Sequence, residues 1–482
     1  MERQSEARRP ALSDAAVCAA FDGAADFSRR VLRVGGHTVY LYAIDGLTSG
    51  ADISELVVKP LLRDGFGGSM DELCDRAFYA TVYNAVALEC GGLADVLERL
   101  VNGFAVVLFG QRALAFEDKS GEKRAPSAPE VESTVKGARD ALTETLRTNT
   151  SLLRRHLRTP SLRIYETKLG RRSGTGVALL WLDGLTDPAL VRRMKRRLSE
   201  PDVDGLVTPA AVEEYLTGSR RTAFPLLKYT ERTDRLARAL LDGRVALLVD
   251  GLPLAYLAPV DLAFFMTAAE DEGTDWISAS FLRILRYAGL LLSLLLPGLY
   301  IAMAAYHPQM LPMGLLRSII ESKQAVPFPT AVEVLGLLLA FELLQEAGVS
   351  LPQSVGQTLS IIGGLVVGTA AVEARVISPA ALIVVAAAGI CGFVLPGRDF
   401  ADAMRLWRFV LAGLAALGGL FGLTAGGLLL VLHLAGLSSF GRPYLAPFSS
   451  ARGLRALLRP RHVMTPCRDP SLRPQDVRNQ RP

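Results

Sequence analysis

The chain has 482 residues, half of them apolar, and 53 Lys and Arg against 48 Asp and Glu give a formal net charge of +5. That length allows several domains, and so slight a basic excess does not mark a nucleic-acid binder. The charge is unevenly spread: residues 1–283 carry 76 charged side chains, whereas the 158 residues from Ile284 to Gly441 carry 14. A polar head on a polytopic apolar half reads as a receptor, channel or transporter before it reads as a soluble enzyme.

Residues 1–36 are a charged N-terminal arm without the apolar core of a secretory signal, so the head is expected to stay in the cytoplasm. Two copies of one pattern follow. Val39 to Thr48 (VYLYAIDGLT) and Gly103 to Ala115 (GFAVVLFGQRALA) recur as Val177 to Thr186 (VALLWLDGLT) and Gly243 to Ala255 (GRVALLVDGLPLA), in the same order and at nearly the same spacing. Each apolar run ending near a Gly turn predicts a buried strand, and Leu190, Val191, Met194 and Leu198 fall at helical spacing beneath a basic face. The expected fold class is a duplicated N-terminal α/β domain joined to a polytopic α-helical transmembrane domain. Its α/β subdomains are placed at 37–116 and 176–283, with a linker and connecting helix over 117–175, the helix itself at Ala138 to Arg158.

The Asp-Gly positions Asp45, Asp183 and Asp250 read as turn chemistry, not as an acidic catalytic set. Gly174 to Gly176 lacks the third Gly of a dinucleotide fingerprint, and the SGEK at Ser120 has no nucleophile context. His at 37, 156, 307, 433 and 462 are scattered, and Cys at 18, 74, 90, 391 and 467 show neither a disulfide framework nor zinc spacing. No catalytic residue, cofactor or metal ligand is assigned, and the chain is not read as an enzyme.

Residues 284–441 are the predicted transmembrane domain. Tyr287 to Tyr306, Val355 to Val372, Ile377 to Pro396 and Phe409 to Leu437 are long enough, or nearly so, for a hydrocarbon core of about 30 Å. The last is over-long and is expected to tilt or kink at its Gly pairs. A helix over 330–348 differs from these four: it is acidic, amphipathic or re-entrant, with Glu333, Glu342 and Glu346 and no Lys or Arg of its own. Glu342, Gln345 and Glu346 share one face, a candidate pore or polar membrane face, because an ionised side chain at the centre of a spanning helix costs about 3 kcal/mol or more. The competing reading lays this helix in the membrane interface. Gly364 and Gly368, at GxxxG spacing, are candidates for close helix packing. Arg283 and Arg286 before the first span and the basic tail 442–482 place both ends in the cytoplasm, which requires an even number of spans, and four are expected. The end of that tail reads as disordered.

The strings NTSLLRRHLRTPSLR (149–163), KLGRRSGTGVALLWLDGLTDPALV (168–191), YTERTD (229–234), LLPGLYIAMAAYHPQMLP (295–312), FELLQEAGVSLP (341–352), SIIGGLVVGTAAV (360–372) and SSFGRPYLAP (438–447) resemble the A subunit of GerA-type spore germination receptors, almost continuously over 145–447. The resemblance implies an integral protein of the bacterial spore inner membrane with a cytoplasmic head and tail. It implies two partners, a permease-like B subunit together with a C-subunit lipoprotein, and also a homo-oligomer and a nutrient-gated ion channel that triggers germination. No nucleic acid is implied. The alternatives are a related sporulation membrane channel that amplifies germination without direct nutrient sensing, and a ligand-sensing α/β head coupled to a transporter. Lys136, Leu142, Thr233 and Gln309 depart from the family's usual Arg, Phe, Pro and Glu, which bears on subfamily and nutrient more than on fold.

Overall fold

The computed structural model describes residues 12–63, 67–118, 129, 132, 136–199, 203–218, 221–350, 368–446, 448, 458 and 468–479. The chain divides into two compact units, the first from 1–219, 227–259 and 463–482, the second from 220–226 and 260–462.

The first unit is two lobes of one design. The N-terminal lobe runs α1 (Asp14–Ala20), β1 (Phe27–Val34), β2 (His37–Ile44), helical stretches α2 (50–63) and α3 (70–81), β3 (Ala87–Cys90), α4 (Leu93–Val101), β4 (Phe104–Phe109) and β5 (Arg112–Glu117). The second runs α5 (Leu146–His156), β6 (Leu162–Leu169), β7 (Thr175–Leu182), α6 (Pro188–Leu198), α7 (Pro209–Thr217), β8 (Lys228–Thr230), α8 (Thr233–Leu241), β9 (Val245–Val249) and β10 (Ala255–Ala258). Their sheets are ordered β1-β2-β4-β5-β3 and β6-β7-β9-β10-β8, so the duplication extends to topology. All pairs are antiparallel. Strand periodicity explains the layering of the first lobe: Ala105, Val107 and Phe109 pack with α2 and α3, whereas Val106 and Leu108 pack with α1 and α4. A central strand covered on both faces must be apolar throughout, and every residue of β4 and β9 is buried.

Several expected boundaries are corrected. The arm over 1–36 supplies α1 and β1, and the supposed linker over 117–175 supplies α5 and β6. Both first strands, FSRRVLRV and LRIYETKL, are partly exposed edges, so burial does not force apolar sequence on them. The connecting helix shortens from Ala138–Arg158 to α5; ahead of it Ala141 bridges Arg232 and the Leu142 N–H donates to the Glu231 carbonyl at 2.7 Å. The second lobe ends near Pro259, not at 283. The Asp-Gly turns are structural: Gly46 sits at φ +84, where a Cβ would also lie 3.1 Å from the Ser151 Cβ.

The lobes are joined by a buried clamp. Arg154 of α5 gives Nε and Nη2 to the two carboxylate oxygens of Asp26 at 2.7 and 2.9 Å, Nη1 to the Thr159 carbonyl at 3.0 Å and Nη2 to the Leu162 carbonyl at 3.0 Å. The Ala25 N–H donates to the Ile164 carbonyl at 2.8 Å beside it. Part of the tail is also ordered, against expectation. The Gln475 N–H donates to the Leu185 carbonyl at 2.8 Å, Arg468 Nε to the Leu241 carbonyl at 3.0 Å, and Leu472 is buried.

The second unit is helical: α9 (Leu262–Phe265), α10 (Trp276–Ala305), α11 (Met313–Lys323), α12 (Thr330–Ser350), α13 (Gly368–Glu373), α14 (Pro379–Phe393) and α15 (Arg398–Gly436), then a short ladder β11 (Ser438–Ser439) with β12 (Arg442–Pro443). The span expected at Phe409 to Leu437 is corrected to part of a hairpin. Gly418 and Gly419 leave helical geometry inside α15, Gly419 at φ +57. Beyond that turn the chain reverses, bringing the His433 ring within 5.8 Å of the Trp407 ring. Gly426 makes the close approach possible, since a Cβ there would lie 2.7 Å from Leu411 Cδ2. At the tip, Gly419 lies against Tyr306 at the end of α10. The arms, 398–417 and 420–436, thus run beside that helix, with Gly298 against Leu411 and Leu423. Most of the span expected at Val355 to Val372 falls outside the described residues.

Candidate functional site: a charged centre in an apolar helical unit

α10 is long and apolar enough to cross a membrane; α15 is as apolar, but the Gly418–Gly419 turn divides its length between two arms, and α14 is a shorter apolar helix. α12 runs beside them, packing Val334, Leu337 and Leu338 with Tyr300 and Ile301 of α10 and with Ala381 and Val385 of α14. It is neither separate from the bundle nor uncompensated in charge. Glu342 accepts from Arg405 Nη1 at 3.0 Å and from Arg408 Nη2, while Arg405 Nη1 also donates to Gln345 Oε1 at 2.7 Å. Arg405 reaches Asp402 on its own helix as well. The acidic face expected to stand without counterions is therefore largely neutralised, because an apolar surrounding makes an unpaired carboxylate costly and the hairpin brings two guanidiniums to it.

The centre sits well inside the bundle. Arg408 lies about 15 Å from the Gly418–Gly419 turn and about 12 Å from Phe400, at ~1.5 Å per residue. Its side chain is 2% exposed, against 27% for Arg405 and 22% for Glu342. Beside it lies a cavity of about 370 Å³ whose lining includes the apolar Phe341 and Phe393 together with Gln345, Glu346, Asp402, Arg405 and Arg408.

Of the residues singled out from sequence, Glu342, Gln345 and Glu346 come together here. Gly368 lies in ordinary contact with Leu382, at 3.6 Å from where its Cβ would be, and Gly364 lies outside the described residues. Closer packing glycines include Gly298, whose Cβ would lie 2.8 Å from Leu423 Cδ1, and Gly389, 2.8 Å from Phe341 Cζ. Sequence reasoning misses the partners Arg405 and Arg408; two arginines three apart in an apolar stretch are the available signal. Glu333, pointing away from this face, accepts the Ser378 N–H that opens α14 and lies 4.0 Å from Lys323.

Other charges on the second unit have structural partners. Arg286 is bidentate to Asp271 at 2.6 and 2.8 Å, Arg283 donates to the Ala263 carbonyl at 2.8 Å, and Arg442 pairs with Asp261 at 2.9 Å. Arg283 and Arg286 are buried, so they do not face lipid headgroups and do not fix the orientation of the chain. In the first unit Asp45 pairs with Arg147, Asp183 with Arg163 at 3.1 Å, and Asp250 accepts the Leu146 N–H at 3.0 Å. These acids are dispersed among separate turns. Asp140, His156 and Thr233 cluster, but Asp140 and Thr233 both meet His156 at Nε2, at 2.8 and 3.1 Å, which is not the two-nitrogen geometry of a proton relay. Thr233 opens α8, the first-turn position where the usual Pro would also fit. Among the described residues no group of three or more His, Cys, Asp or Glu is arranged for a metal ion.

The model of the Bacillus/Clostridium GerA spore germination protein family matches residues 16–474. The chain belongs to this family. It is 35% identical to the uncharacterized membrane protein YfkQ of Bacillus subtilis, over 85% of this chain and 80% of that one, and 35% identical to spore germination protein KA of the same organism, over 88% and 78%. Spore germination protein XA of Bacillus anthracis is 36% identical over 74% of this chain and 73% of its own. The crystal structure of the N-terminal domain of the A subunit of the Bacillus megaterium spore germinant receptor GerK3 aligns over 53% of this chain and 98% of that one, at 23% identity and a TM-score of 0.40. This GerA-family chain is accordingly a membrane-associated protein with a role in spore germination, its candidate centre lying in the apolar helical unit.

Proposed function

We propose that the protein is the A-type component of a nutrient germinant receptor in the spore inner membrane, and that copies of it assemble into a nutrient-gated ion channel with a C-subunit lipoprotein and a permease-like B subunit. The observation that carries this reading is the charged centre: Glu342, Glu346, Arg405 and Arg408 lie together in a helical unit whose sequence is mostly apolar. Charge is retained at such depth where it lines a polar path. In this reading the head and tail lie together on the cytoplasmic side; the packing of residues 468–479 onto the second lobe supports their being on one side of the membrane, with an even number of crossings between Val260 and His462.

Glu346 is the position for the test, since Glu342→Gln would strand two arginines and confound stability with conduction. A Glu346→Gln variant in spores is expected to reach normal abundance by immunoblot and to release less potassium after nutrient addition. Normal release at normal abundance contradicts the pore reading. The chain is as similar to the uncharacterized membrane protein YfkQ as to protein KA, so family membership does not by itself select the receptor, and a related channel that amplifies germination without its own nutrient partners is the second reading. Reading frames for B and C subunits beside the gene favour the receptor; their absence favours the amplifier.

A further inference from the structure

α6 carries more positive charge than its place in the fold requires. Arg192, Arg193, Lys195, Arg196 and Arg197 stand on its 11 residues with no acid among them, while Leu190, Val191, Met194 and Leu198 are its buried face. At about 100° per residue, Arg192 and Arg196 point directly away from that face, with Arg193 and Lys195 on either side. Two half-buried members hold the helix down: Lys195 Nζ lies 4.6 Å from the ring centres of both Tyr165 and Trp181, and Arg197 Nε donates to the Tyr215 carbonyl at 2.7 Å. Arg192, Arg193 and Arg196 are exposed. The duplication supplies a comparison. α2 follows β2 as α6 follows β7, and over 50–63 it carries Asp52 and Glu55 against Lys59 and Arg63, a net of zero. Covering the sheet therefore needs no net charge. Cations in a last turn favour the helix dipole, which accounts for the residues nearest Leu198 but not for Arg192 and Arg193 a turn earlier. Like charges four apart, as in Arg192 with Arg196 and Arg193 with Arg197, weaken a helix in water, and an anionic surface laid against them would relieve that repulsion.

The basic surface continues past the end of α6. The loop that follows is bound to the β6–β7 turn, where the Arg171 N–H donates to the Val203 carbonyl at 2.9 Å and the Arg172 N–H to the Asp204 carbonyl at 3.0 Å. Arg171 and Arg172 are exposed there, their Nε atoms 3.9 and 3.7 Å from the Asp204 carboxylate. In the same loop Val207 is 71% exposed, an aliphatic side chain of the kind that a headgroup layer admits. The chain itself carries α10, long and apolar enough to cross a membrane, so a lipid surface is tethered to this lobe. We propose that the outward face of α6, together with Arg171 and Arg172, docks on the anionic phospholipid headgroups of the membrane that holds the chain. Cationic heads spread along an exposed helix suit a leaflet, where each adds to the attraction, whereas a protein partner is fixed by a few buried anchors. Docking would hold the second lobe against the bilayer with a strength set by anionic lipid content and by ionic strength. The proposal rests on membrane association alone and does not require the channel reading.

The test holds the full chain in nanodiscs of phosphatidylcholine, with or without phosphatidylglycerol, and follows arginine modification by phenylglyoxal, resolved residue by residue by mass spectrometry. Arg192, Arg193 and Arg196 are expected to react several-fold more slowly in the anionic discs. Salt at about 1 M, which shortens the screening length to about 3 Å, is expected to abolish that protection. Arg33 and Arg63, exposed on the first lobe, are the controls and are expected to react alike in both discs. A triple variant, Arg192→Gln with Arg193→Gln and Arg196→Gln, changes only exposed positions and leaves the packed face of α6 as it is. In anionic discs it is expected to lose most of the protection of Arg171 and Arg172. Equal modification of the α6 arginines in neutral and anionic discs overturns the proposal. So does protection that high salt leaves in place, which would mark a protein contact, or protection shared by Arg33 and Arg63. Protection of Arg171 and Arg172 that survives in the triple variant would show that the two regions are not one docking surface, and overturns it as well.

Discussion

Two buried arginines, one in each unit, solve the same electrostatic problem differently. Arg154 engages all three guanidinium nitrogens, making four hydrogen bonds of 2.7 to 3.0 Å to Asp26, Thr159 and Leu162. Arg408, as buried, reaches only Glu342 and leaves Nε unmatched beside a cavity. A guanidinium bonded through every nitrogen ties two lobes into one body, because any displacement breaks several bonds at once. An arginine with one ion-pair partner is instead coupled to that single carboxylate.

The sharpest way to break the comparison is to remove Arg154. Arg154→Ala leaves Asp26 buried without its cation, a loss expected to cost about 3–5 kcal/mol. Chemical unfolding followed by tryptophan fluorescence is expected to show the first unit melting early or failing to accumulate. A loss below about 1 kcal/mol would mean that the clamp is incidental.

Asp118 extends the comparison to a buried acid that accepts only a neutral N–H, from Ser49 at 3.1 Å, and is not paired with a cation among the described residues. Burial, followed by the nearby Asp52 charge, pushes it up to about 6 from 3.8. The folded state therefore holds a proton between these two values that the unfolded state has released, so stability falls as pH rises through this window and stays lowered above it. Asp118→Asn removes that dependence. Its stabilisation relative to wild type is expected to grow from pH 4 to pH 6.5 and then level off, at on the order of 2 kcal/mol. A gain that is flat with pH contradicts the assignment.

A smaller effect separates the two glycines at the hairpin tip. Gly419→Ala meets both a positive φ and a Tyr306 contact of 2.9 Å, whereas Gly418 has φ −133 and open space around its Cβ position. The first is expected to cost about 1–2 kcal/mol and the second close to nothing, read as protein abundance in the membrane fraction. Equal tolerance of both changes would remove the turn.

The sequence carries the central strands plainly, since β4 and β9 must be apolar on both faces and the runs ending in Gly turns announce them. It hides β1 and β6, edge strands whose exposed positions accept Arg, Glu and Lys. The Gly pair at 418–419 signals a bend but not a reversal, because the direction of the second arm is decided by packing of Gly422 and Gly426 against Leu411 and Leu414. Spacing alone puts Glu342, Gln345 and Glu346 on one face. Their counterions come from 60 residues or more further along, and only the fold brings these positions together. Arg283 and Arg286 mislead for a related reason: charge beside an apolar run reads as facing headgroups, while both are buried against partners of their own unit.

The measurement that tests the central claim most directly is a double-mutant cycle on Glu342 and Arg408 in spores, read as protein abundance and as potassium release after nutrient addition. Each single change, Glu342→Gln or Arg408→Gln, strands a buried charge, and each is expected to lower abundance several-fold. The double variant removes the charges as a pair while Arg405 retains Asp402, so it is expected to recover abundance above either single variant and still to release potassium abnormally. Losses that simply add in the double variant, or singles that are silent in both readouts, would contradict a coupled and functional charged centre.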